Sequence, residues 1–442
     1  MTKVGFISLG CSKNLVDTEV MLRKLHDAGF EITPDETEAE IIIINTCGFI
    51  ESAKQESIDN ILDAEKLKEW GKCQHIIATG CLVERYREEV MREMPEIDAL
   101  VGVGSLDDIA EACTAVMRGE KYTSFNDKNT SKLGGDRILT TADHTAYLKI
   151  AEGCDNKCTY CAIPLIRGKF RSRTVEDIVA EARDLEALGV KELNLIAQDT
   201  SRYGLDIYGE YSLARLVRAI CEATEIPWIR LLYCYPDKIT DELIAELRDN
   251  PRLLKYMDIP IQHISDPVLT RMNRHGGKAL ICEVVKKLRE QVPGIVLRTT
   301  AMVGFPGESE ENFTELCEFI KEAKFDRFGA FTFSEEEGTA AALLDSKIDG
   351  QTKQDRYDIL MQTQLTVTEE QNAAKIGEIY TVLCDGFDTV AEIYYGRSYA
   401  DAPDVDGRVY FTSKAKVEAG EFVTVKITEA LDYDLVGERV EN

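Results

Sequence analysis

No stretch of this sequence approaches the roughly 18–20 consecutive apolar residues that a membrane-spanning helix needs. Its opening, Met1-Thr2-Lys3-Val4-Gly5-Phe6, leads straight into a strand-like run and shows no pattern of a signal peptide. Internal repeats and low-complexity tracts are lacking as well, which argues against solenoids and disordered tails. Basic charge is also short: 52 Lys and Arg stand against 79 Asp and Glu, a formal net charge of −27. Such a field repels nucleic-acid phosphates unless a local basic patch overrides it, and it fits a basic protein partner better. These readings place the chain in the cytoplasm, away from membranes, with tRNA disfavoured as a partner.

What the chain has in quantity is cysteine, thirteen of them. The cytoplasm keeps thiols reduced, so disulfides do not account for them. Small buried packing residues or metal ligation remain, and spacing has to decide.

Along the first 120 residues, apolar runs alternate with helical spacing. Val4 to Ser8, Ile41 to Asn45, His75 to Thr79 and Ala99 to Val103 read as buried parallel strands. Asn14–Ala28, Ile50–Leu67, Glu84–Met94 and Leu106–Met117 read as the helices between them. This predicts a doubly wound parallel α/β domain over 1–120. Residues 121–140 are polar and glycine-containing and read as a linker. A second βα series over 141–374 has strands expected at Tyr147–Ile150, Glu192–Ile196, Trp228–Tyr233, Tyr256–Ile261, Ile295–Val303 and Arg327–Phe331. Its six βα units suggest a partial (β/α)6 barrel. Over 375–442, short alternating runs at Ile379–Cys384, Val390–Tyr395, Arg408–Phe411 and Phe422–Thr428 predict a small antiparallel β-barrel.

The sharpest motif is Cys154-Asp155-Asn156-Lys157-Cys158-Thr159-Tyr160-Cys161, directly after a strand. Three thiolates at C-x3-C-x2-C spacing can hold a four-iron cluster and leave one iron open to a ligand. Structural zinc is the alternative, but its usual sites want a fourth Cys or His in a paired motif. A ferredoxin-like carrier would want a fourth cysteine nearby, and none follows until Cys221. Gln198 and Asp199, and the segment Gly304-Phe305-Pro306-Gly307-Glu308, end strands of the same series, where ligands gather in parallel α/β folds. Ordinary turns would look the same.

A second set shares a position instead of a short motif. Cys11, Cys47 and Cys81 each follow a predicted strand of the first domain, so all three fall on the carboxyl edge of one parallel sheet. Cys73 precedes its strand and belongs at the opposite edge. Cys113 lies on an apolar helix face. Cys221, Cys234, Cys282, Cys317 and Cys384 share no position and read as packing residues.

The C-x3-C-x2-C loop with Tyr160 before its last cysteine resembles the radical S-adenosylmethionine motif. With the strand-end trio and the terminal barrel, the whole chain resembles the methylthiotransferase family, whose barrel is called the TRAM domain. The segments Ser8–Asp17, Tyr147–Cys154 and Asp258–His263 resemble the branch that modifies an aspartate of small-subunit ribosomal protein twelve. The resemblance implies two [4Fe-4S] clusters, on Cys11, Cys47 and Cys81 and on Cys154, Cys158 and Cys161. It also implies S-adenosylmethionine, with Tyr160, Gln198 and Gly304 as cofactor contacts. One cluster would carry a sulfur that S-adenosylmethionine methylates. At the other, cofactor cleavage would give the radical that activates the aspartate β-carbon. A basic ribosomal protein as substrate and a separate electron donor are implied with them. Methylthiolation of tRNA adenosine, and a noncatalytic ribosome-associated iron–sulfur module, stand as alternatives.

Three local features carry further expectations. The basic run Arg167-Gly168-Lys169-Phe170-Arg171-Ser172-Arg173 reads as a loop that steers an acidic group or simply meets solvent. His263 reads as a structural histidine. The last segment, with seven basic and fourteen acidic residues, reads as an acidic surface, with Asp401, Asp404 and Asp406 crowding one loop.

Overall fold

In the computed structural model, which describes residues 1–441, the chain builds two open parallel sheets and one closed barrel. Strands β1 (Lys3–Ser8), β2 (Glu31–Ile32), β3 (Ile41–Thr46), β4 (His75–Gly80), β5 (Ala99–Val101) and β6 (Tyr122–Ser124) form the first sheet, in the order β2-β1-β3-β4-β5-β6. All its pairs are parallel. The isoleucine run of β3 is buried on both faces, as a central parallel strand requires. Two hydrophobic layers flank the sheet, one under the helix Glu51–Trp70 and one under the helices Ser12–Asp27 and Ile109–Met117.

Two local expectations shift. Glu84–Met94 is not one helix but two, Cys81–Arg85 and Arg87–Glu93, broken where Tyr86 leaves helical dihedrals at φ −122°, ψ 33°. Tyr122–Ser124, inside the segment read as a linker, pairs with β5 as the sixth strand. The remainder of that segment is pinned in place. Lys128 reaches the buried Glu84 at 3.1 Å, Arg137 reaches Glu19 at 3.0 Å, and the Asn129 amide oxygen accepts from the Lys169 N–H at 2.9 Å.

The second sheet uses β7 (Thr145–Lys149), β10 (Glu192–Ile196), β11 (Trp228–Leu231), β12 (Leu253–Asp258), β13 (Val296–Val303) and β14 (Arg327–Thr332). The short antiparallel pair β8 (Ala151–Glu152) and β9 (Arg171–Ser172) lies at its mouth. The order β14-β13-β12-β11-β10-β7 is parallel throughout and open, as six βα units predict. The fourth strand of this series ends earlier than expected, at Asp258, because Pro260 has no N–H to offer a ladder. Alternation gives its two faces different jobs. Ala146, Leu148, Leu193, Leu195 and Leu231 pack outward under the helices, while Tyr147, Ile196, Tyr256 and Val296 line the concave side.

The last unit closes as β15 (Ile379–Asp388), β16 (Ile393–Ser398), β17 (Val409–Thr412), β19 (Leu435–Arg439) and β18 (Phe422–Ala430). The sequence pattern missed β19, and with it a topological consequence. A ring of five strands cannot alternate direction at every pair, and β17 with β19 is the parallel exception in a barrel expected to be antiparallel.

This barrel docks into the concave face, and the docking overturns the reading of its aspartates as an acidic surface. Asp401 pairs with Arg327, and Asp404 accepts from the Tyr147 hydroxyl at 2.9 Å. Asp406 accepts from the Tyr256 hydroxyl at 2.6 Å and faces Arg298 at 3.4 Å. Glu192 binds Arg230 at 3.0 Å and Arg397 of the barrel, which also holds Asp385 at 2.9 Å. The loop is acidic because the sheet floor it plugs is basic and phenolic. Among the described residues, no helix is long and apolar enough to cross a membrane.

Burial alone would raise Asp401, yet Arg327 and the Ser398 hydroxyl and N–H hold its carboxyl below the ordinary value. Asp385 is lowered likewise, with His144 and Arg397 outweighing its burial. A carboxylate lowered on folding stabilises the fold above its unfolded value, about 3.9, and that stability is lost as pH falls through the folded value. Replacing Arg397 with Met leaves Glu192 and Asp385 short of a cation, which is expected to cost about 3–5 kcal/mol. Urea unfolding at neutral pH measures this, and the difference from the parent chain should shrink below about pH 4, where the carboxylates protonate.

Candidate active site

The three strand-end cysteines come together because β1, β3 and β4 are neighbours in register, Ser8 opposite Asn45 and Thr46 opposite Gly80. The loops after them are drawn close by Asn14. Its amide donates to the carbonyls of Leu9 (2.7 Å), Asn45 (3.2 Å) and Thr46 (3.3 Å). A Cβ on Gly10 would stand 2.9 Å from Cys47 Sγ, and one on Gly48 would stand 2.7 Å from the Leu82 N–H, so only glycine lets these loops close. Cys73 lies in the core below its strand and Cys113 lies under a helix, both away from this edge.

The second trio lies on the loop after β8. Gly153 takes φ +80°, and a Cβ there would stand 2.1 Å from the Lys169 carbonyl oxygen. The loop is then held from several sides. The Cys154 N–H donates to the Gly168 carbonyl at 3.2 Å, and the Thr159 N–H donates to the Met272 carbonyl at 3.0 Å. Asn156 donates to the buried Asp199 at 2.7 Å, and Lys238 reaches the same carboxylate at 3.1 Å. Cys158 Sγ touches the Tyr235 hydroxyl, and Arg274 lies over that ring, 3.9 Å from its centroid.

The loop of Cys81 meets the segment that follows the second trio. Cys81 packs against Ala162 and Ile166, just past Cys161. Arg167 joins them: its guanidinium donates to Cys81 Sγ at 3.3 Å, Asn14 Oδ1 at 2.9 Å, Asp17 at 2.5 Å and Glu152 at 3.3 Å. Lys149 completes the node, bonding Asp17 and, at 2.7 Å, Glu152. The arginines of the run 167–173 are therefore engaged inside the fold, Arg171 by the Ser131 carbonyl at 2.6 Å, while Lys169 stays exposed. Arg173 is buried as well, holding Asp177 and Glu181 at 2.6 Å each. For Arg167 only the packing of the two sheets shows this, because Asn14, Asp17 and Cys81 are distant in sequence.

Burial pushes the Cys81 thiol up to about 12 against the opposing charge of Arg167, and the Cys154 thiol up to about 11. Cys47 and Cys161 are raised for the same reason. Burial would raise Glu152 too, but Lys149 and Arg167 hold it well below the carboxylate range.

Of the other expected contacts, Tyr160 stands edge-on to Phe305, their ring centroids 6.5 Å apart, in an apolar pocket with Met272, Met302 and Phe333. Gln198 donates to Glu152 and leaves its amide oxygen buried without a partner, as does Gln262 two strands on. Gly304 takes φ +73°, but its N–H is engaged by both oxygens of Glu308 at 3.1 and 3.0 Å, and a Cβ there would press on Lys353. His263 is fully buried, its Nδ1 accepting from the Ser265 N–H at 3.0 Å, in keeping with a structural role. Asn14, Asp17, Lys149 and Glu152 escaped the sequence reading. Their only signal was polarity beside the cysteine loops.

Among the described residues, no three Cys, His, Asp or Glu side chains converge closely enough to hold one metal ion. A four-iron cube gives each thiolate its own iron and so spreads its ligands wider than a single tetrahedral ion does. The all-thiol donor sets, the adjoining cations Arg167 and Arg274, and the orphaned acceptors Gln198 and Gln262 fit a cluster and a polar ligand beside it.

Residues 3–102 match the model of Uncharacterized protein family UPF0004, 148–320 that of the Radical SAM superfamily and 376–440 that of the TRAM domain. The fold is similar to that of TsrM, a radical S-adenosylmethionine methyltransferase from Kitasatospora setae solved with cobalamin and a [4Fe-4S] cluster. The TM-score is 0.56 at 14% identity, over 78% of this chain and 77% of that one. It is also similar to OxsB, a cobalamin-dependent S-adenosylmethionine radical enzyme, with a TM-score of 0.50 at 12% identity over 83% and 58% of the two chains. Sheet, cysteine loop and matched models define a radical S-adenosylmethionine enzyme, a class that works with an iron–sulfur cluster and S-adenosylmethionine.

Curated relatives narrow this. The ribosomal protein uS12 methylthiotransferase RimO of Desulforamulus reducens is 49% identical over 99% of both chains. Those of Thermoanaerobacter sp. and Acetivibrio thermocellus are 49% and 48% identical, over 99% of this chain and 100% and 98% of theirs. The chain belongs to this RimO family of methylthiotransferases.

Replacing Arg167 with Met leaves Asp17 and Glu152 facing Lys149 alone, and a loss of about 3–5 kcal/mol is expected on urea unfolding. Lysine at 167 should restore less than half, since one ammonium cannot span the four partners that a guanidinium fork reaches.

Proposed function

We propose that this enzyme adds a methylthio group to the β-carbon of an aspartate in ribosomal protein uS12, using two four-iron clusters on the trios Cys11, Cys47, Cys81 and Cys154, Cys158, Cys161. The observation that supports the reading is that Cys81 packs against Ala162 and Ile166, just past the second trio, and bonds Arg167, in a chain 49% identical to a uS12 methylthiotransferase over 99% of its length. When bound, the clusters and S-adenosylmethionine supply the sulfur transfer and the radical chemistry.

The chain's own part is placement. Asn14 and Arg167 fix the first trio against the second, so that a substrate side chain entering the cleft meets both. Lys238 and Asp199 hold the second loop through the Asn156 side chain. Tyr160, with Phe305 and Phe333, offers an apolar wall suited to an adenine ring, and Gln198 an acceptor beside it. Gly304 would contribute its close backbone approach only, since its N–H is already used. Arg85 and Lys54 close one side of the cleft by gripping the buried Glu336 at 2.7 and 3.3 Å, and Arg85 also donates to the Gly48 carbonyl at 3.0 Å.

The partners follow as a basic ribosomal protein and an electron donor, with tRNA disfavoured. Anaerobic reconstitution should give iron for two four-iron clusters per chain. Changing either cysteine trio to Ala should halve it, and only loss of the Cys154 trio should abolish cofactor cleavage. Mass spectrometry of uS12 and tRNA from a deletion strain should show one methylthio group missing from uS12 alone. Its absence from tRNA instead would overturn the reading.

A further inference from the structure

Lys13 stands two residues past Cys11, in the first turn of the helix Ser12–Asp27, and is only 7% exposed. Its ammonium lies 3.0 Å from the centroid of the Tyr233 ring. No carboxylate of the described residues pairs with it. The carboxylates around this cleft are committed elsewhere: Asp17 to Lys149 and Arg167, Asp199 to Lys238, Asp258 to Arg298, and Glu152 to Lys149 and Arg167. Every other buried lysine and arginine is salt-bridged, with the exception of Arg274, which lies beside Cys158 and donates to the Pro260 carbonyl. A buried cation without a paired carboxylate is costly, and an aromatic face returns only part of that. The site therefore suits an anion, beyond the thiolate charge that a cluster on Cys11 would bring.

Its position says which anion. Lys13 belongs to the first sheet, beside Cys11. Tyr233 belongs to the second, with its backbone at φ +63°, two residues before the Tyr235 that touches Cys158. The ammonium thus lies where the helix after Cys11 meets the inner face of the second sheet. Ser12, between Cys11 and Lys13, also buries a hydroxyl without a partner.

We propose that Lys13 binds the carboxylate of the substrate aspartate and so orients its β-carbon between the two trios. This rests on the functional reading above. The β-carbon carries that carboxyl group directly, so a fixed ammonium leaves the reacting carbon little freedom beyond rotation about one bond. A cofactor carboxylate offers the same chemistry, but the loop expected to hold the cofactor lies on the Tyr235 side, where Arg274 already supplies positive charge.

The test uses the full-length reconstituted enzyme and two synthetic peptides spanning the uS12 target loop, one with the native aspartate and one with asparagine there. The parent enzyme should bind the aspartate peptide at least about tenfold more tightly, as a hydrogen bond between charged groups implies. Lys13→Met should erase that preference by weakening the aspartate peptide alone, with iron content and S-adenosylmethionine affinity unchanged, and Lys13→Arg should recover part of it. An unchanged preference in Lys13→Met overturns the assignment, and so does weakened S-adenosylmethionine binding, which would hand the ammonium to the cofactor. Should Lys13→Met not fold, the parent enzyme decides, because equal binding of the two peptides overturns the proposal. If the parent methylthiolates intact uS12 while the preference test fails, only Lys13 is misassigned. If it never modifies uS12, both readings fall together.

Discussion

Charge buried between two sheets is costly unless it is paired, and this protein gathers a paired set where its first two sheets meet. Asp17 comes from the first sheet's leading helix; Lys149, Glu152 and Arg167 come from the mouth of the second. Two cations and two carboxylates neutralise one another, and the guanidinium still has donors for Asn14 and Cys81. Hydrophobic contact alone would let the two sheets slide. A fork with fixed donor directions sets their register instead. The node also ties Asn14 and Cys81 of the first sheet to the segment just past Cys161.

The same logic is repeated at the floor of the second sheet. An open six-stranded sheet leaves its concave face without a covering layer of helices. Here one end receives Leu15 and Val16 from the first helix, and the other receives the barrel with Ala400, Ala402 and Phe422. The polar inner residues Arg230, Arg298, Arg327 and Tyr256 find their partners on that incoming loop and on neighbouring strands. The small barrel thus works as a plug on one end of the concave face, and the first helix covers the other. Three units, each with a core of its own, become one frame around a single cleft.

In a family of radical S-adenosylmethionine methylthiotransferases, difficult bonds are made by cofactors, and the protein contributes geometry. The side chains divide in the same way. Thiols, glycines and aromatic rings line the loops after the strands, while charged residues with several partners hold those loops in place. Lys13 stands apart from both groups, since it is buried and charged but unpaired.

Much of this was determined by the sequence alone. The period of the apolar runs located both parallel sheets, because a strand buried on two faces must be hydrophobic along its length, as Ile41–Ile44 is. The strand-end position of Cys11, Cys47 and Cys81 followed from chain direction, since parallel strands deliver the residues after them to one edge. The C-x3-C-x2-C loop was legible because its ligands lie within one turn of chain. The tertiary structure decided what depends on pairing across distance. Asp401, Asp404 and Asp406 look like a solvated acidic loop until Arg327, Tyr147, Tyr256 and Arg298 are brought to them from a different domain. Arg167 looks like a surface cation until the first sheet arrives with Asp17 and Cys81. β19 escaped because a short alternating strand is indistinguishable from a tail until a closing ring supplies its two neighbours. Local spacing encodes elements and contiguous ligand sets, whereas a charge acquires its role only from the partner that folding places against it.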